Sequence, residues 1–163
     1  MSSREIDRLI DEVQRRFDGT PGTIEPGLDV EEPSVLQLRK GCRLLAGSDR
    51  LLEAGYFTLV VEASFGAIER TVEFRLIERG QHDPRSLPGS HTGIYREAAT
   101  CGLFSERIAN DLADLWRDHR ARTYYRDGLA TEERARHLAD LASEVHDYVV
   151  GRSSRSHECL CSQ

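Results

Sequence analysis

Residues 50–79 read RLLEAGYFTLVVEASFGAIERTVEFRLIER, and the fold turns on this stretch. It holds no proline, and its first half is apolar around most of the helical circumference, as expected of a central helix contacted on several sides. Ala63, Ser64, Gly66 and Ala67 at its middle are small enough to let a neighbouring helix approach closely.

Upstream, Pro33 and Ser34 suit a helix start. Val35, Leu38, Cys42 and Leu45 then mark one face until Gly47, where the pattern predicts a stop, and Asp49 caps the central helix. Ser2 with Glu5 forms a capping box, and Ile6, Leu9, Ile10, Val13 and Phe17 recur at helical spacing, predicting an amphipathic helix over about residues 3–17. Between these helices, DGTPGTIEPGLDVEE (18–32) is rich in breakers and acids and reads as a linker.

Downstream, GQHDPRSLPGSHTG (80–93) is a loop by composition, with His82 and His91 read as solvated. A short helix from about Ile94 to Cys101 meets Gly102. Ser105 caps the next helix, which carries Ile108, Leu112, Leu115 and Trp116 inward. Thr131 caps a last helix whose Glu132 and Glu133 favour the positive end of the macrodipole and whose Ala135, Leu138, Ala142, Val145 and Val149 form a stripe. No alternating strand pattern is present. The expected fold is all-α: an antiparallel helical bundle of four core helices plus an N-terminal helix. The divisions are 1–32 (helix and acidic linker), 33–150 (bundle) and 151–163 (flexible tail).

The chain's 163 residues fit one domain, and its 22 basic and 28 acidic side chains give a net charge of -6. That sign opposes non-specific attraction to nucleic acid, so a polyanion must meet a local patch. Lys40 is the only lysine. No run approaches the roughly 18 apolar residues a membrane span needs, and the start MSSREIDR lacks a signal peptide's apolar stretch, so a cytoplasmic protein without membrane contact is expected. GxxxxGK[ST], GxGxxG and GxSxG are absent, which removes the foothold for nucleotide-loop and serine-hydrolase readings.

Cys42 and Cys101 read as small buried hydrophobes. The tail His157-Glu-Cys-Leu-Cys161 offers soft ligands, but a CxC alone lacks the second ligand pair of a structural zinc. Glu133/His137 and Glu144/His146 do not form the Glu-x-x-His repeats of a di-metal bundle. Neither metal nor cofactor is expected.

The chemistry concentrates in WRDHRARTYY (116–125). On a continuous helix, at about 100° per residue, Arg117, Arg120 and Tyr124 share one face and Asp118, Arg122 and Tyr125 the adjoining one. His119 falls in line with Ile108, Leu112 and Leu115, as a hydrogen-bonded histidine at the edge of the core. With Arg126 and Asp127 included, four arginines face two aspartates. Tyr124 and Tyr125 can stack on bases or cover guanidinium planes.

Three segments, DRLLEAGYFTLVVEASFGAIERTVEFRLIERG, LADLWRDHRARTYYRDG and TEERARHLADLASEVHDYVV, resemble the HEPN superfamily of helical bundles over about residues 33–150. The resemblance implies a homodimer whose paired motifs meet in a cleft, and an activity as a metal-independent endoribonuclease of a toxin-antitoxin, defence or RNA-processing system. The family motif is Arg, a polar residue, three variable residues and His, often followed by any residue and Tyr. Arg117, Asp118 and Tyr124 match it, but Arg122 stands in the histidine position. A guanidinium cannot accept a proton near neutral pH, although it can steady a phosphorane. A second alignment uses Arg120 and Tyr125.

The resemblance thus implies Arg117, Asp118, His119, Arg122 and Tyr124 as catalytic residues and Arg120, Tyr125 and Arg126 as nucleic-acid contacts, with His119 or a partner-subunit residue as base. RNA and a nucleotidyltransferase-type protein that modifies Tyr124 are the implied partners. A reading of a different class stays open beside it: a non-catalytic homodimeric interaction module, with residues 52–76 as its apolar face.

Overall fold

The computed structural model describes residues 3–86 and 89–161. Seven α-helices succeed one another: α1 (Ser3–Asp18), α2 (Pro33–Glu53), α3 (Phe57–Glu78), α4 (Gly93–Thr100), α5 (Glu106–Leu115), α6 (Ala121–Tyr125) and α7 (Glu132–Val150). A π-helical turn, Trp116–Arg120, joins α5 to α6, and a 3₁₀ turn, Ser156–Glu158, lies in the C-terminal segment. Among the described residues no strand forms, so the all-α expectation holds. No helix there is long and apolar enough to cross a membrane.

The core lies between α2, α3 and α7, closed at one end by α4 and α5. Leu51 and Leu52 of α2 pack near Val60 of α3 and Ala135 and Ala139 of α7, while Cys42 of α2 and Thr71 of α3 meet His146 of α7. Hence α2 runs antiparallel to both neighbours, and α3 and α7 run the same way. Phe65, Ile68, Val72, Phe74 and Leu76 are almost wholly buried, which is why the central helix is apolar on most sides.

The break between α2 and α3 falls at residues 54–56, not at Gly47. Gly47 stays helical, whereas Gly55 has φ +80°. There the Gly55 N–H bonds the Leu52 carbonyl and the Tyr56 N–H bonds the Leu51 carbonyl. This pairing satisfies the last carbonyls of α2, and its left-handed residue favours glycine. The expected caps at Ser105 and Thr131 accept hydrogen bonds from the Ile108 and Arg134 backbone N–H groups. The Ser2–Glu5 capping box lies outside the described residues; Glu5 itself pairs with Arg8.

Two segments differ from expectation. Ile108, placed inward by spacing, is exposed, and burial on α5 falls on Ala109 and Leu112. Residues 151–161, expected to be flexible, pack back on the bundle. Ser153 donates to Glu78 (2.6 Å), and Arg39 of α2 binds the Glu158 carboxylate (2.6 Å) and the Gly27 carbonyl (3.1 Å), tying tail and linker to one helix. α1, by contrast, has no buried residue.

Candidate metal centre and polar cleft

Four side chains from distant parts of the chain converge on the seam of α2, α3 and α7. Cys42 comes from the apolar face of α2, His146 from the inner stripe of α7, and Cys159 and Cys161 from the returning tail. Their donor atoms all lie within 4.8 Å of one another. Cys42 Sγ is 3.6 Å from both Cys159 Sγ and His146 Nε2. His146 Nε2 is 3.3 Å from Cys159 Sγ and 3.4 Å from Cys161 Sγ. Cys42, His146 and Cys159 are buried, and Cys161 is exposed.

The other ring nitrogen, His146 Nδ1, lies 2.8 Å from Thr71 Oγ1. Backbone N–H groups of Leu160 and Cys161 point at Cys42 Sγ and Cys159 Sγ, each at 3.4 Å. Burial works against a charge on His146, but the Cys159 and Cys42 sulfurs outweigh it and raise the imidazole to about 9. Hydrogen bonding to Cys161 and Cys42 pulls the Cys159 thiol well below its ordinary range. Three thiols converging on a buried imidazole are a metal-ligating donor set.

This cluster overturns the expectation of a metal-independent protein. The CxC of the tail lacked a second ligand pair only along the sequence; in space, Cys42 and His146 supply it. Both residues carried a signal. Cys42 shares the spacing of Val35, Leu38 and Leu45, and His146 shares that of Ala135, Ala139, Ala142 and Val149, so each belongs to a core face. What could not be read was that these faces meet each other at the height of the tail.

The residues of WRDHRARTYY part company. The π turn, Trp116–Arg120, carries one extra residue in the helix, so the position that faces α3 passes from His119 to Arg120, while Arg117 stays outside. Arg117 stays at the surface, paired with Asp114 at 3.0 Å. Arg120, expected to face nucleic acid, is instead only 14 % exposed and turns toward α3. Its Nε and Nη2 donate to Glu62 at 3.0–3.2 Å, and its Nη1 donates to Glu69 at 2.8 Å. Burial disfavours its charge, but the two carboxylates more than compensate and raise its value. A largely buried guanidinium whose three nitrogens each meet a carboxylate is a brace between helices rather than a group presented to a phosphate.

Of the two loop histidines, His91 joins this brace while its side chain stays half exposed, and His82 lies apart from it. His91 Nδ1 sits 3.1 Å from Glu69 Oε1, and its ring stacks on Trp116 with centroids 5.0 Å apart. His82 is largely buried beside Glu97.

Asp118, His119 and Arg122 line a cleft of about 750 Å³ between α3, the π turn and α7. Arg134 and His137 of α7 face them, over a floor that includes Phe65 and Leu138. His119 keeps its alignment with Leu115, but at the rim of this cleft and exposed. His137 Nδ1–H donates to the Glu133 carbonyl (2.8 Å), which leaves its Nε2 as an acceptor. Arg122 also borders a smaller depression with Tyr125 and Arg126. Tyr124 and Tyr125 are exposed and meet edge to face, with centroids 4.8 Å apart.

A family model matches residues 1–161, a span that includes all four donors of the cluster. The chain belongs to that family, described as a domain of unknown function (DUF8154). No curated protein and no solved structure matches the chain.

Proposed function

We propose that the protein is a HEPN-like bundle that binds RNA or a nucleotide phosphate in the cleft beside Arg122. One observation carries this reading: two arginines from different helices, Arg122 and Arg134, flank two histidines over an apolar floor. Such a site pairs phosphate oxygens with planar guanidinium forks while a base covers the floor. Arg122 opens onto the Tyr125 and Arg126 depression as well, so a single strand can continue from the cleft onto exposed aromatic rings. Arg117 and Arg120 stand outside this reading, because one pairs with Asp114 at the surface and the other is consumed by Glu62 and Glu69. The HEPN resemblance supplies the setting, a toxin-antitoxin, defence or RNA-processing system.

Fluorescence anisotropy with a short single-stranded RNA and with a mononucleotide tests it. Arg122→Gln and Arg134→Gln should each weaken binding about tenfold, and each should lower the dependence of log K on log salt by roughly one. Unchanged affinity in both variants would sink the reading.

The second reading, a homodimeric interaction module, loses residues 52–76 as its face, because most of their apolar side chains are buried within the bundle, and is favoured instead by α1. Ile6, Leu9, Ile10, Val13 and Phe17 remain 39–86 % exposed along one face of that helix. A second copy of the same helix would cover them. Light scattering should then give a dimer mass that falls to the monomer in Ile10→Ser/Phe17→Ser, and a monomeric wild type would dismiss this reading.

A further inference from the structure

We propose that Cys42, His146, Cys159 and Cys161 bind one Zn²⁺ as a closed Cys₃His site that holds the C-terminal segment onto the helical bundle. The inference is independent of the cleft.

Geometry identifies the ion. Sulfurs about 2.3 Å and a nitrogen about 2.0–2.1 Å from a tetrahedral centre lie roughly 3.5–3.8 Å from one another. Four of the six donor separations are 3.3, 3.4, 3.6 and 3.6 Å, close to the edges of such a tetrahedron, and the other two, from Cys161 Sγ to the remaining sulfurs, are within 4.8 Å. A disulfide would need sulfurs about 2.05 Å apart and would use only two of the three thiols. The crowded donors enclose a single ion and leave no room for an iron–sulfur cluster. Thiolate-rich tetrahedral coordination favours Zn²⁺ over the oxygen-seeking Mg²⁺ and Ca²⁺.

The surroundings are those of a built site. With Nε2 as the ligand, the imidazole proton sits on His146 Nδ1 and is donated to Thr71 Oγ1, 2.8 Å away, an outer contact that holds the Nε2 lone pair toward the sulfurs. The Leu160 and Cys161 N–H groups donate to sulfurs that must be deprotonated to bind the ion. All four tetrahedral positions come from protein, so no position is left for a reacting water and the role is structural. Exposed Cys161 gives the ion a way in. The ligands sit on α2, on α7 and on the tail, so the ion closes loops of over one hundred residues that contacts along one helix could not.

The test uses the full chain with its thiols reduced. Elemental analysis of the purified protein should find one equivalent of zinc, and Co²⁺ substitution should give the intense d–d and sulfur-to-cobalt charge-transfer bands of a tetrahedral thiolate site. Cys101→Ser should match the wild type. Cys161→Ser should bind at least tenfold more weakly, and Thr71→Val about 10–100-fold more weakly, as expected for loss of an outer-shell partner. Circular dichroism confirms that each variant keeps its helices. The wild-type titration decides the matter even if a variant unfolds: no uptake of Zn²⁺, or a Co²⁺ spectrum without thiolate bands, overturns the proposal. So does a folded Cys161→Ser that binds as tightly as the wild type.

Discussion

Thr71 Oγ1 and His146 Nδ1 lie 2.8 Å apart in the buried seam of the bundle, and this contact determines which imidazole nitrogen faces the three sulfurs. It depends on a glycine of α2, the helix that packs against both α3 and α7. A methyl group at Gly41 of α2 would stand 2.8 Å from Thr71 Oγ1 and 3.5 Å from the Ala67 carbonyl. Gly41→Ala should therefore turn Thr71 or spread α2 from α3, costing about 1–3 kcal/mol as overpacking. Urea denaturation at fixed Zn²⁺ measures it, and a variant as stable as the wild type would show that the seam yields freely.

Chelation should loosen the tail before it unfolds the bundle. Ser153, Ser154, Arg155 and Glu158 hold residues 151–161 through part-exposed polar contacts with Glu78, Glu32 and Arg39, whereas the cluster fixes two tail residues to two helices at once. Trypsin should cut after Arg152 or Arg155 several-fold faster in a chelator, with far-UV circular dichroism unchanged. Equal cleavage rates with and without chelator would mean that the contacts alone hold the tail.

Arg120 should matter for stability and not for ligand contact. Removing it leaves Glu69, 8 % exposed, and Glu62 without their common partner. Breaking a buried pair from one side costs about 3–5 kcal/mol, so Arg120→Met should lower the urea midpoint strongly. Arg120→Lys should recover only part of the loss, because one ammonium cannot replace a fork that reaches two carboxylates. RNA affinity of the folded fraction should stay at the wild-type level, in contrast to Arg122→Gln.

Tyr95 is buried, and among the described residues its hydroxyl meets no hydrogen-bond partner. Burial, with Glu69 nearby, pushes that hydroxyl above its ordinary value of about 10. By linkage, the folded state holds the proton more tightly, so this stabilisation is fully present below about pH 10 and is lost as pH rises through the raised value. One of the five tyrosines should fail to ionise in an alkaline absorbance titration until the bundle unfolds. Tyr95→Phe should remove that lag and stabilise the fold by about 1 kcal/mol, since it deletes an unpaired buried group. A destabilised Tyr95→Phe would show that the hydroxyl has a partner in solution.

Features that depend on near neighbours are legible in the chain alone. The helical stretches, the caps at Ser105 and Thr131 and the absence of strands among the described residues all stem from spacing and backbone preference over a few residues. Local rules failed where two glycines competed to end α2: the packed helix carries Gly47 through, and the positive φ of Gly55 makes the turn. They failed again at WRDHRARTYY, where a π turn brings Arg120 inward and leaves His119 exposed. Both sites exist only through tertiary packing. Arg134 lines one cleft with Arg122 because α7 and the π turn both lie against α3, and His146 reaches Cys42 across 104 positions because an apolar stripe on α7 seats against one on α2. Hydrophobic burial set that register, and the polar donors were carried together by faces whose own patterns mark them only as core.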